Sequence, residues 1–250
     1  MKSSNNIYFA SDLHLGVPNR EDSLKREKLF IKWLDEIKVD ATAIYLLGDV
    51  FDFWFEYKKA VPKGYVRLLG KLAELSDNGI PIHIFTGNHD MWMFDYLEEE
   101  INAIIYREPI EIKLNDKVFF LGHGDGLGPG DFSYKILKKV FSNFICKWLF
   151  SRIHPNLGIS IAEYWSRKSR ISNGIKDDIS LGEKEFLVQF CKAKLKESKI
   201  NYFIFGHRHL PMEVELNKQS TYINLGEWVN YNTYAVYDGE TVTLKKFNQV

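Results

Sequence analysis

Five of the seven histidines in this chain fall within a few residues after a short apolar run of β-like character. The runs are Ile7–Ala10, Ile82–Phe85, Val118–Leu121 and Tyr202–Phe205, and a fifth run, Ala43–Leu47, leads into an acidic block. The blocks read Ser11-Asp12-Leu13-His14, Gly48-Asp49-Val50-Phe51-Asp52, Gly87-Asn88-His89-Asp90, Gly122-His123-Gly124-Asp125 and Gly206-His207-Arg208-His209. A lone Asp-x-His is usually a turn or a solvated pair. Five blocks at strand ends, interleaved with Asp, Asn and Gly, point instead to one site assembled from strand termini.

The residue types in those blocks suit a two-metal centre. Carboxylate and amide oxygens with imidazole nitrogens fit Mn, Fe or Zn, whereas a structural zinc site more often uses thiolate. In an extended segment residues two apart point the same way, so Asp12 and His14 can reach one ion from a single strand end, and His207 and His209 can do likewise. Ions roughly 3.5–4 Å apart share an anionic ligand, and Asp49 is placed for that role. Asn88 adds a neutral oxygen. Four imidazoles keep the site net positive, which favours a phosphate substrate and metal-assisted hydrolysis.

Between the blocks, strand-like and helix-like patterns alternate. After Ile7–Ala10 the spacing predicts a helix over about 22–37, then Ala43–Leu47, a helix near 65–78 closed by Gly79 and Pro81, and Ile82–Phe85. This βαβ rhythm gives way to Thr221–Asn224, Thr233–Tyr237, the turn Asp238-Gly239 and a run over 241–247, a β-rich finish with a hairpin. Two sheets face to face with flanking helices account for both halves, in a single α/β (α+β) domain over 1–250.

Charge and cysteine content narrow the function. With 33 basic and 33 acidic residues, no nucleic-acid partner is indicated, and no obligate protein partner is evident. Cys146 and Cys191 have no disulfide-like spacing, which fits a reducing cytoplasm. The first residues carry no hydrophobic leader region, and no run approaches the roughly 18 apolar residues of a spanning helix, so a cytoplasmic protein is expected.

One segment departs from the neutral average. From Asp131 to Lys176 there are nine basic residues against two acidic ones, a net charge of +7. Leu137, Phe141, Phe144, Ile145, Trp148 and Leu149 recur there at helical spacing, among Lys135, Lys138, Lys139 and Lys147. Residues 127–180 are expected to form a basic, aromatic-rich helical insertion, either a core helix with a solvated face or a cap for acyl chains and anionic headgroups. His83, inside a strand-like run, and His154, before Pro155, read as structural. Glu227 and Trp228 either shape a pocket or pack.

The order Asp-x-His, Gly-Asp-x-x-Asp, Gly-Asn-His-Asp, Gly-His-Gly-Asp, Gly-His-x-His resembles that of the calcineurin-like metallophosphoesterases, from Ile7 to about Lys246. The resemblance implies a four-layer α/β/β/α sandwich with the insertion beside the metal site. It implies one ion on Asp12, His14, Asp49 and His209, and another on Asp49, Asn88, His123 and His207. It also implies that His89 polarises phosphate or protonates the leaving group while Asp90 orients it.

Within that family, the helical insertion and the Phe51-Asp52-Phe53-Trp54 continuation look like the UDP-2,3-diacylglucosamine pyrophosphatases of lipid A biosynthesis. That likeness implies a manganese-dependent hydrolase acting on an acylated UDP-sugar at the cytoplasmic face of the inner membrane, as a peripheral protein. UMP and 2,3-diacylglucosamine 1-phosphate would be the products. Substrate contacts would fall on Asn88, His89, Asp131, Tyr134, Ser169, Asn173 and Lys176. The branch commonly carries arginine where this chain has His89. The alternatives are a soluble phosphodiesterase or nucleotide hydrolase, a protein phosphatase, and a non-catalytic scaffold.

Overall fold

The computed structural model describes residues 6–129, 132–173, 182 and 185–248, apart from the side chains of residues 133, 167 and 169–173. In chain order the elements are β1 (Asn6–Ala10), α1 (Arg20–Ile37), β2 (Ala41–Leu47), α2 (Val66–Asp77), β3 (Ile82–Phe85), α3 (Tyr96–Ile101), β4 (Ile104–Tyr106), β5 (Ile110–Leu114) and β6 (Lys117–Leu121). There follow α4 (Phe132–Ser142), α5 (Phe144–Phe150), α6 (Pro155–Asn173), α7 (Phe186–Lys194), β7 (Tyr202–Phe205), β8 (Pro211–Asn217), β9 (Ser220–Leu225), β10 (Thr233–Tyr237) and β11 (Val242–Lys246).

The strands form two sheets, one ordered β11-β10-β1-β2-β3-β4 and the other β5-β6-β7-β9-β8. Strands β1 to β4 are parallel, as are β6, β7 and β9, so the carboxyl ends within each sheet face one way. The period of two in each strand decides what lies on either face. Tyr8, Ala10, Ile44, Leu46, Ile82 and Ile84 meet Phe30, Trp33 and Leu34 of α1 and Leu68, Leu72 and Leu75 of α2. Their alternates Phe9, Tyr45, Leu47 and Phe85 meet Phe119, Leu121, Ile204 and Ile223 of the second sheet. Leu187, Val188 and Cys191 of α7 cover that sheet's other face through Phe203, Phe205 and Tyr222. The expected α/β/β/α layering is therefore the observed one.

Beyond the strands the spacing predicts, two antiparallel edge strands complete the second sheet. Both β5, with Ile110, Ile112 and Leu114 against Glu111 and Lys113, and β8, with Met212, Val214 and Leu216 against Glu213 and Glu215, alternate with period two. Charged residues on every second position are what an edge tolerates. His83 lies on the inner face of β3, its ring stacked on Tyr45 with centroids 4.1 Å apart. Trp228 is buried against Phe30 and Trp33, so it packs rather than lining a pocket. No helix among the described residues is long and apolar enough to cross a membrane.

The insertion contains α4, α5 and α6. Asn143 breaks its apolar series into two helices: its side chain accepts a hydrogen bond from Ile145 N and caps α5. The two sides of that break differ. Phe141 and Phe150 pack with Phe53, Phe55 and Trp92, while Phe144, Ile145, Trp148 and Leu149 are exposed.

Candidate metal centre

Three of the five ligand-bearing blocks leave their strands through left-handed ligand residues. Asp12, His14, Asp49, His207 and His209 have φ of 55, 45, 52, 67 and 52°. The sequence expectation of an extended Asp-x-His is thereby corrected: the chain curls past the strand end, and successive side chains turn inward. Such a conformation costs a non-glycine residue on the order of 1–3 kcal/mol and persists only where neighbours over-determine it. Here the exits of β1 and β2 stay joined, Asp12 N donating to Gly48 O (3.0 Å) and His14 N to Asp49 O (2.9 Å).

The side chains converge. His14 Nε2 lies 3.0 Å from His209 Nε2, and Asp12 Oδ1 lies 3.6 Å from the former and 3.2 Å from the latter. Asp49 Oδ2 is 3.8 Å from His14 Nε2 and 3.3 Å from His123 Nε2, so it stands between two groups of donors. In the second group Asn88 Oδ1 is 3.1 Å from His123 Nε2 and 3.0 Å from His207 Nδ1. One atom each from Asp12, His14, Asp49 and His209 falls within 4.8 Å of the others, a spacing that could hold a cation.

The surroundings orient these atoms rather than merely enclosing them. His123 Nδ1 faces Leu47 O at 2.8 Å, the partner that leaves Nε2 as the lone-pair nitrogen turned to the site. His207 N donates to Asp12 Oδ2 (3.0 Å) and His89 N to Asp49 Oδ1 (2.8 Å). Gly48, at φ 88°, lies so close to the His123 ring that a Cβ there would sit 2.6 Å from Nδ1. Arg208, between the two histidines of its block, is anchored by a two-pronged pair with Glu185, both contacts 3.0 Å and both residues buried.

The donor set fits divalent cations. Asp12 Oδ1 is buried and receives no hydrogen bond, and carboxylate, amide and imidazole donor atoms crowd toward one another. Burial opposes ionisation of Asp12, but the neighbouring imidazoles of His14 and His209 outweigh it and hold the carboxyl far below its usual range. Together the two groups are consistent with a dinuclear site.

Among the described contacts Asp90 bonds to backbone rather than to the His89 ring. Its buried carboxylate accepts from the backbone N–H groups of Asp49 (3.3 Å), Val50 (2.8 Å), Phe51 (3.3 Å) and Gly87 (2.7 Å), so it shapes the loop that carries Asp49. Burial and the Asp49 charge push its carboxyl up to about 7. The ring of His89 faces Asp52 instead, with Nδ1 3.1 Å from Asp52 O and 3.6 Å from Asp52 Oδ1. Asp52 Oδ1 is also 3.7 Å from His14 Nδ1. The second Asp of the Gly-Asp-x-x-Asp block was the available sequence signal for this role.

Of the expected substrate contacts, Asn88 and His89 are at the centre. Tyr134 Oη donates to Asp125 Oδ2 at 2.5 Å, and Lys138 Nζ pairs with the same oxygen at 2.8 Å, which ties α4 to the Gly-His-Gly-Asp block. Asp131 and Lys176 lie outside the described residues; Ser169 and Asn173 lie on α6, with their side chains outside them. A cleft of about 450 Å³ opens beside His123, with Tyr106, Arg107, Asp125, Lys135, Lys138 and Lys139 on its walls.

Two sheets with Asp, Asn and His converging beyond their parallel strand ends define a metallophosphoesterase, and the chain belongs to the calcineurin-like phosphoesterase family, which it matches over residues 6–211. Within that class it is 38% identical over 257 residues to the UDP-2,3-diacylglucosamine hydrolase of Porphyromonas gingivalis, covering 98% of each chain. To the protein of the same name from Edwardsiella ictaluri it is 27% identical over 240 residues, covering 94% of this chain and 90% of that one. Among solved structures, the phosphoesterase Yfce from E. coli aligns with a TM-score of 0.46 at 15% identity, over 95% of this chain and 91% of that chain.

Proposed function

We propose that this protein hydrolyses the diphosphate of UDP-2,3-diacylglucosamine to UMP and 2,3-diacylglucosamine 1-phosphate, a step of lipid A biosynthesis. The observation that carries the reading is the convergence of Asp12, His14, Asp49, Asn88, His123, His207 and His209 in a chain 38% identical, end to end, to a hydrolase of that name.

Asp12, His14, Asp49 and His209 would hold one divalent ion, and Asp49, Asn88, His123 and His207 the other; manganese suits this oxygen and imidazole set. Such ions neutralise phosphate oxygens and activate water for in-line attack. Asp49, facing both donor groups, keeps the two halves in register. His89 supplies an imidazole beside the centre for the phosphate or the departing oxygen, its ring held through Nδ1 by Asp52. Attack on the uridine-bearing phosphorus puts the oxygen of water into UMP and expels the acylated sugar phosphate.

Residues 127–180 act as the cap. Exposed Phe144, Ile145, Trp148 and Leu149 offer apolar surface for acyl chains, with Lys139, Lys147 and Arg152 for anionic headgroups. Such a face suits peripheral binding at the cytoplasmic surface of the inner membrane. The test is incubation with UDP-2,3-diacylglucosamine and manganese in detergent and ¹⁸O-labelled water. Labelled UMP is expected, whereas turnover confined to water-soluble nucleotides or phosphodiesters would overturn the lipid assignment.

A further inference from the structure

Helix α6 is largely exposed: Leu157, Tyr164 and Trp165 keep 56, 61 and 57% of their surface open. Its other face is seated. Gly158 is buried so close to Tyr57 that an added Cβ would lie 2.5 Å from the phenol oxygen, and Ala162 packs with Phe53, Phe55 and Trp92. Positions 158, 162 and 166 are four apart and share one face of a helix. Ser166, at the far end of that face, is 9% exposed.

The Ser166 hydroxyl reaches the reactive end of the site. Oγ donates to Asp52 Oδ2 at 2.7 Å and lies 3.3 Å from His89 Nδ1, which itself is 3.1 Å from Asp52 O. With the hydroxyl proton directed to Asp52, the oxygen of Ser166 can only accept from His89. A proton on His89 Nδ1 therefore meets two acceptors, Asp52 O and Ser166 Oγ. The ring is fixed with Nδ1 toward the cap, and Nε2 is the nitrogen left for a phosphate or a leaving group.

We propose that Ser166 is a positioning residue: the seated cap orients the His89 imidazole through Ser166 and Asp52, so that turnover depends on α6 being docked. The inference rests on the hydrolase reading of the same site. A hydroxyl on the cap then makes the chemistry sensitive to whether the acyl-binding segment is in place.

A double-mutant cycle tests it, with Ser166→Ala, Ser166→Thr, His89→Ala and the double variant His89→Ala/Ser166→Ala. Each is assayed with manganese on UDP-2,3-diacylglucosamine and on bis(p-nitrophenyl) phosphate, and checked for metal content and melting temperature. Loss of one hydrogen bond to the ring should lower kcat about tenfold in Ser166→Ala. KM should stay unchanged, Ser166→Thr should restore kcat, and Ser166→Ala should cost nothing further once His89 is alanine. An unchanged kcat in Ser166→Ala, a rise in KM alone, or the same fractional loss on the His89→Ala background would overturn the proposal. A wild type that cleaves only the small diester defeats the lipid reading while the cycle on that diester still decides the role of Ser166. Inactivity on both substrates would defeat both.

Discussion

His14 Nε2 and His209 Nε2 stand 3.0 Å apart although 195 positions separate them in the chain. Asp12 Oδ1, buried and without a hydrogen-bond donor, lies within 3.6 Å of both nitrogens. Two neutral imidazoles in such contact share at most one proton between them, so a cation that accepts both Nε2 lone pairs and Asp12 Oδ1 would stabilise the arrangement. Manganese should raise the melting temperature and chelation should lower it. At a free concentration 100 times Kd the gain is about 2.7 kcal/mol. Identical melting curves with manganese and with chelator would contradict the metal site.

Asp49 is the carboxylate between the two donor groups. Asp49→Ala should abolish hydrolysis and leave fewer than two ions bound, with the far-ultraviolet circular dichroism unchanged. Metal analysis is the direct measurement. Two bound ions with full activity in this variant would remove Asp49 from the role assigned to it.

His89 sits beside the ligands with its ring turned to Asp52. His89→Ala should keep both ions and lose about 10²–10⁴ in kcat, the range for a removed general acid or base. His89→Arg separates charge from proton transfer. Recovery of turnover in the arginine variant would make His89 a phosphate contact, and metal loss in both variants would contradict its placement outside the ligand set.

The two aromatic faces of the cap should respond differently. Phe144 and Trp148 are 77 and 47% exposed, whereas Phe141 is packed against Trp92 with ring centroids 5.5 Å apart. Truncating Phe144 and Trp148 together to serine should raise KM for the diacylated substrate, because each buried methylene of an acyl chain is worth about 0.8 kcal/mol. Cleavage of a small diester should be unaffected. Phe141→Ala, by contrast, should loosen the cap and increase its proteolytic cleavage. Equal KM effects on both substrates from the serine pair would assign those residues to the cap's own packing.

His83 supplies a pH dependence remote from the ligands. Burial between Tyr45 and Tyr106 pushes its imidazole down to about 4, below the ordinary 6.5, so the unfolded chain takes up the proton first. Stability contributed by neutral His83 is present above pH 6.5 and lost as pH falls toward 4. Urea denaturation from pH 7.5 to 4.5 should show that decline, and His83→Phe should flatten it. An equally steep decline in the variant would assign the effect to other groups.

The layered fold and the identity of the ligands were legible in the sequence because both are written locally. Short, nearly continuous apolar runs mark β1, β2, β3 and β7, and Asp, Asn and His carry their chemistry wherever the chain puts them. The strand ends nearest those blocks came out within two residues for the same reason. Geometry at the site was decided elsewhere. Asp12 and His14 lie in left-handed turns because their backbone stays bonded to Gly48 and Asp49, contacts no local pattern announces. Asp90 is adjacent to His89 in the chain yet bonds backbone around Asp49, while Asp52, 37 positions away, faces the His89 ring. Ser166, 114 positions from Asp52, carried no sequence signal at all. Residue type and short-range periodicity determine which groups are available and on which face of an element they stand. Only the packing of two sheets and a cap determines which lone pairs meet, because those distances depend on elements brought together from distant parts of the chain.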